Sequence, residues 1–160
     1  MREAGSQEQP VCSATRTALI TGRYQYRLRI GLEEPLPVNK PDIGLPPEHP
    51  TLPSLLKKLG YGTTLIGKWH LGDSYPNLPN YRGFQEAVYH LGWGITSMAD
   101  TWENDYFDGR FRHNGVLQKY PGYCTDVWFN LGLDWIKQRK AADEPFFLYL
   151  AFNAVHLPLE

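Results

Sequence analysis

A layered α/β domain is what this sequence predicts, on three observations. Residues 51–60 have helical periodicity and run directly into a short apolar segment at 61–66. Residues 125–140 repeat that order, helix pattern first and an apolar run at 146–152 after it. Both apolar segments then give way to Gly- or Pro-containing loops that carry titratable side chains. At 160 residues the chain is of ordinary single-domain size, long enough to bury a substantial core, and it holds no internal repeat or low-complexity segment.

The elements follow in order. Cys12-Ser13-Ala14-Thr15-Arg16 leads into Thr17-Ala18-Leu19-Ile20-Thr21-Gly22-Arg23, which reads as a short helix with the cysteine just before it. Hydroxyl residues stand at the cap positions, an arginine lies one turn in, and Gly22 stands where a helix stops. A helix start gathers unpaired N–H groups and positive dipole, so this one is suited to hold an anion beside Cys12. Arg16 adds a forked cation that matches a tetrahedral oxyanion. Taken alone, a single cysteine is more often a small buried hydrophobe.

Residues 24–50 are rich in Pro and Gly and read mostly as irregular loop. Thr51 caps the next helix, Pro53 lies in its first turn, and Leu52, Leu55, Leu56 and Leu59 fall on one helical face before Gly60 ends it. The strand at 61–66 passes into Gly67-Lys68-Trp69-His70-Leu71-Gly72, read as a loop. Alternate loop residues share a side, which would turn Lys68 and His70 toward one ligand while Trp69 packs away. Without further context they are a surface lysine and an ordinary loop histidine.

Residues 73–122 read as loop-rich, with Asp108-Gly109 and Asn114-Gly115 as tight hairpin turns. Trp128, Leu131 and Trp135 line one face of the 125–140 helix, and basic residues fill its last turns. The unbroken apolar run that follows suits a strand covered on both faces, and it ends in Asn153-Ala154-Val155-His156-Leu157-Pro158. Lys68, His70 and His156 thus lie just past predicted strand ends, where α/β sheets gather their polar chemistry. His49, His90 and His113 have no motif around them and stay unassigned.

Composition narrows the function. A formal charge of −1 gives no basic field for nucleic acid. Aromatic residues at 14% are compatible with a sugar- or aryl-binding surface, although packing accounts for most such residues. Cys12 and Cys124 could pair, but two cysteines set no disulfide framework and no compartment. No apolar run reaches the ~18 residues of a membrane span, and the first nine residues hold no apolar segment of the signal-peptide kind.

Three blocks carry a resemblance. The run from Cys12 to Arg23 resembles the maturation signature of the type I, formylglycine-dependent sulfatases in the alkaline phosphatase superfamily, with Ala14 and Thr15 where that family most often has Pro and Ser. Gly67-Lys68-Trp69-His70 is similar to a second family segment, and the apolar run with His156-Leu157-Pro158 to a third, in the family order. The resemblance implies a mostly parallel sheet with helices on both faces. It also implies an arylsulfatase-like sulfuric ester hydrolase in which Cys12 is oxidised to formylglycine by a maturation enzyme. A hydroxyl of the hydrated aldehyde would attack sulfur and release the alcohol, and the second hydroxyl would expel sulfate. Arg16 and Lys68 would hold sulfate oxygens, His70 would orient or accept a proton, and His156 would stand near the leaving oxygen. The substrate class is then a sulfated carbohydrate or aryl sulfate ester.

The family also binds a divalent metal, usually calcium, through an Asp-Asp pair near the N-terminus and an Asp-Asn pair downstream. No Asp-Asp occurs in this chain, and of the implied ligands only modified Cys12 is here. Residues 1–160 are therefore expected to form part of a sulfatase catalytic domain, lacking the Asp-Asp strand and the Asp-Asn region and inactive alone. Three other readings remain open at this stage: a non-catalytic homologue that binds sulfated glycans, a phosphate or phosphonate ester hydrolase, and a thiol hydrolase using Cys12 with a histidine base.

Overall fold

A computed structural model describes residues 12–32, 42–92, 94–96 and 101–156. Trp93, Leu157 and Pro158, together with the first eleven residues, lie outside the described residues. Five strands make one sheet: β1 (Gly62–Lys68), β2 (Glu86–His90), β3 (Arg110–His113), β4 (Val116–Lys119) and β5 (Phe146–Ala151), in the order β4-β3-β2-β1-β5. β1 pairs in parallel with β2, from Thr64↔Glu86 to Lys68↔His90, and with β5, from Gly62↔Phe146 to Gly67↔Ala151. β3 runs antiparallel to both β2 and β4, so four of the five strands point the same way. The predicted α/β class is present, with its mostly parallel sheet.

Alternation along β1 divides the core in two. Leu65 joins Ala87, Tyr89, Phe147 and Tyr149 beneath Ile20 of helix α1 (Cys12–Thr21) and Ile30 of α2 (Arg29–Leu32). Ile66 joins Val88, Phe111, Leu148 and Leu150 beneath Trp128 of α4 (Cys124–Ala141). Helices therefore cover both faces. Trp128 is fully buried with its ring 4.2 Å from that of Phe111, and Gly132 brings α4 to ordinary contact distance from Leu148 and Leu150. Helix α3 (Leu52–Lys58) starts as predicted, with Thr51 and Ser54 forming a reciprocal capping box.

Several expectations change. The strand β2 is missing from the sequence reading, because Glu86-Ala87-Val88-Tyr89-His90 is short and mixed in polarity and gains its burial only by pairing with β1. A 3-10 turn at Gln25–Arg27 and α2 lie in the stretch read as loop. Asn114-Gly115 does turn β3 into β4, with φ of 50° and 89°, the pattern of a two-residue hairpin. Asp108-Gly109 instead precedes β3 without joining two strands. The leucines of α3 are a correction too: Leu52, Leu55 and Leu59 are exposed and Pro53 is the buried residue of that helix. β5 packs against both core clusters, as expected of a strand covered on both faces, but most of it is only half-buried, and among the described residues only β1 pairs with it. Cys12 and Cys124 are both free thiols; burial pushes the Cys124 thiol up to about 11.

Candidate active site

The C-terminal end of β1 is built around a close approach. Gly67 has φ of +112°, and a Cβ there would collide with the carbonyl oxygen of Ala151 on β5. Only glycine lets β1 and β5 stay paired to this depth, and the next residue is Lys68. Lys68 is the last residue of β1, so the strand runs two residues into the stretch predicted as loop, and Lys68 is only 1% exposed. Its Nζ is buried, and among the described residues it bonds no oxygen or nitrogen; the group it faces is the Cys12 sulfur. Burial holds this ammonium below its ordinary range; the facing Cys12 sulfur pulls it back up, and the Arg16 charge adds to the lowering. A buried cation without an oxygen or nitrogen acceptor is costly, and an anion supplied from solution would satisfy it.

Cys12 is the first residue of α1 rather than the residue before it. It is partly exposed, at a helix start whose free N–H groups and dipole favour negative charge. Ser13 is not a cap: it is fully buried within the helix, and its Oγ has no hydrogen-bond partner. Thr17 and Thr21 turn their hydroxyls back to the carbonyls of Ser13 and Thr17, at 2.7 and 2.6 Å. Arg16, one turn along, donates from Nη1 to the Lys68 carbonyl at 2.6 Å and to the Tyr149 hydroxyl at 3.1 Å. Charge-assisted bonds of this kind contribute about 1.5–3 kcal/mol each. They lock α1 onto the ends of β1 and β5 and so place Cys12 against Lys68.

Tyr149 had no signal of its own in the sequence beyond its place in an apolar run. In the structure its ring lies under the Arg16 guanidinium at 5.9 Å. Burial raises its phenol, and the Arg16 charge opposes that shift.

Trp69 packs away as predicted, fully buried, with Nε1 donating to the Asn77 carbonyl at 2.9 Å. His70 follows with φ of 56°, a left-handed turn that redirects the chain at the strand end, and its side chain is 3% exposed. His156 lies beyond β5, at the same end of the sheet because β1 and β5 are parallel and in register. It is partly exposed; its N–H donates to the Asn153 carbonyl at 2.7 Å, and its own carbonyl accepts from the Tyr106 hydroxyl at 3.4 Å. Direct bonds thus join Arg16 to β1, electrostatic contact joins Cys12 to Lys68, and strand topology brings His70 and His156 to the same edge.

His90, left unassigned in the sequence, and Asn153, given no role there, are brought together by the fold. His90 is fully buried at the end of β2, beside Lys68 in register, and it bonds Asn153 at 2.9 Å. The position of a lone histidine three residues before Trp93 gave no such hint.

A metal fits less well. Among the described residues no group of three or more His, Cys, Asp or Glu side chains could hold an ion. Hard cations need several oxygen ligands, so these residues do not by themselves make a calcium site, and no chemistry is derived through one. No described helix is long and apolar enough to cross a membrane.

The sulfatase family profile matches residues 3–160. The chain is 33% identical to the N-acetylgalactosamine-6-sulfatase of Canis lupus familiaris over 168 residues, covering 94% of this chain and 31% of that protein. It is 32% identical to arylsulfatase J of Mus musculus over 165 residues, covering 95% of this chain and 26% of that protein. The solved structure of Ps i-CgsB in complex with k-i-k-neocarrahexaose superposes with a TM-score of 0.80 at 32% identity, over 94% of this chain and 36% of that one. The chain therefore spans roughly a third or less of the length of these relatives.

Proposed function

The chain belongs to the sulfatase family, and from that premise we propose that it forms the nucleophile-bearing part of a catalytic domain that hydrolyses sulfate esters of carbohydrates. The single observation that supports this most is Lys68: a buried ammonium that bonds no oxygen or nitrogen among the described residues, set against the Cys12 sulfur at a helix start and backed by Arg16. Three sources of positive potential converge where a doubly charged tetrahedral anion, or its monoester, would sit.

In this reading Cys12 is the site of formylglycine conversion, and the modified side chain would supply the nucleophile. Lys68 binds sulfate oxygens directly. Arg16, tied down by the Lys68 carbonyl and Tyr149, fixes the helix and adds charge at a set distance. His70, just past Lys68, takes or orients a proton of the nucleophile. His156 faces the leaving oxygen from the β5 side. Removing one preorganised oxyanion donor of this kind costs about 2.7–4 kcal/mol of transition-state stabilisation. The substrate class rests on relatives named for N-acetylgalactosamine-6-sulfate and on one solved with a carrahexaose.

The chain covers 31% of the N-acetylgalactosamine-6-sulfatase it matches, and among the described residues no group of three or more His, Cys, Asp or Glu could hold an ion; both support the reading that this segment works within a larger catalytic unit. A non-catalytic, glycan-binding role is favoured by the second observation. Calorimetric titration of the chain with calcium tests the non-catalytic reading: tight binding contradicts it. In the whole protein, Cys12→Ala should abolish release of inorganic sulfate from an aryl sulfate or a sulfated oligosaccharide. Turnover retained by that variant overturns the assignment.

A further inference from the structure

Resting on that reading of the site, we propose that His90 is a positioning residue that sets the place of His156 relative to Lys68, acting through Asn153. His90 is 0% exposed and every part of it is engaged. Its backbone carbonyl accepts from the Trp69 N–H at 3.2 Å, extending the β1–β2 ladder one step past Lys68. Its Nδ1 lies 2.8 Å from the Leu91 carbonyl, which can only accept, so Nδ1 carries the proton. Nε2 lies 2.9 Å from Asn153 Nδ2 and 3.0 Å from its Oδ1, and with a neutral ring it is Nδ2 that donates and Nε2 that accepts.

Asn153 is itself 3% exposed and held from two sides. Its side chain is bonded to His90, and its carbonyl accepts the His156 N–H at 2.7 Å. The connection therefore runs from the Lys68–Trp69 segment through His90 and Asn153 to His156, across two neighbouring strand junctions. Among the described residues β5 pairs only with β1, so the loop beyond Ala151 has no strand neighbour on its far side. A buried bond between two polar groups in a packed setting is well placed to tie that loop to β2, because both groups have given up water to form it.

Two near-isosteres separate this role from simple packing. His90→Asn places an amide N–H where Nδ1 was, keeping the bond to Leu91 and losing the reach to Asn153. His90→Gln places an amide oxygen near the Nε2 position, keeping the acceptor for Asn153 and losing Leu91. The first measurement is backbone hydrogen exchange of residues 152–156 in the chain, with α4 as the internal reference. His90→Asn should speed exchange at His156 by about tenfold, with α4 unchanged within about threefold, and His90→Gln should remain near the parent. In the whole protein, His90→Asn should lower kcat about tenfold with KM within about threefold, and His90→Gln should restore most of it. Equal behaviour of the two variants, or a uniform rise of exchange across the chain, overturns the proposal. If the parent protein releases no sulfate, the sulfatase reading falls while the exchange result still decides the role of His90.

Discussion

β1 and β5 lie side by side, parallel and in register, yet they are buried very differently, and the more apolar β5 is the less buried of the two. Six of the seven β1 residues are buried, including the Lys68 side chain. In β5 only Ala151 is buried; Phe146 is exposed, and the four residues between are half-buried. Two of the helices also carry exposed apolar residues, Phe129 and Leu133 of α4 and Leu52 and Leu55 of α3. Position in the sheet, not composition, makes this difference: β1 has a neighbour on each side and a helix layer on each face, whereas β5 has one neighbour. The two strands also end in different kinds of chemistry. β1 delivers a rigid, desolvated cation, and β5 delivers a loop that owes its position to Asn153 and its partners.

The largest test of this contrast is Trp128→Ala, which removes the side chain that seals β1 and β2 from the α4 face. It should cost about 3–5 kcal/mol in urea unfolding. A loss below about 1 kcal/mol would mean that this face is no better packed than the β5 edge. Next comes the seam between the strands. Gly67→Ala forces a methyl group against the Ala151 carbonyl and demands an unfavourable φ, so it should destabilise by about 1–3 kcal/mol and displace Lys68. Unchanged stability would show that the seam can open freely.

Lys68→Met should have the opposite sign, because it replaces a desolvated charge with an apolar chain of similar length. A gain of about 1–2 kcal/mol is expected at neutral pH. Lys68 has a folded pKa below its ordinary 10.5, so between those two values the unfolded state holds the additional proton and stability rises with pH. The penalty is complete below the folded pKa and disappears toward 10.5, and the advantage of the Met variant should shrink over that window. Added sulfate should stabilise the parent and leave the Met variant unmoved; the reverse would remove Lys68 from the anion site. The smallest effect belongs to Phe146→Lys at the exposed end of β5, within about 0.5 kcal/mol of the parent in stability. Its readout is association: sedimentation velocity should show less self-assembly than in the parent chain, and an unchanged distribution would mean that the edge is not sticky.

The sequence made α1, α3, α4, β1 and β5 legible because each has a local signature: a capping Thr51, a Gly22 or Gly60 stop, tryptophans at helical spacing, an unbroken apolar run. β2 escaped because its burial comes from pairing with β1, which no local pattern records. The exposure of the α3 leucines escaped for a related reason: periodicity shows that a helix has an apolar face, not that another element covers it. In the site, Cys12, Arg16, Lys68, His70 and His156 were legible through the three blocks they belong to. Tyr149 and the His90–Asn153 pair were not, since their roles depend on contacts between residues 133 and 63 positions apart. Lys68 was placed in a loop because Gly67 looks like a terminator, when its positive φ instead lets the strand continue against β5.

The pairing of β1 with β5 also has a consequence in time. Gly62 meets Phe146, so β1 cannot acquire this neighbour until a long stretch of further chain has been synthesised, including all of α4. At ribosomal speeds of about 5–20 residues per second, that delay is on the order of ten seconds. During it, Leu65 and Ile66 have no β5 beside them, and the ends of α1 and β1 lack Tyr149. Non-local parallel pairing of this sort is slow even after release. The nascent chain therefore passes through a period in which the strand that ends most buried is complete but unshielded, and in which Cys12 has left the ribosome before the hydroxyl of Tyr149, which helps anchor Arg16, exists.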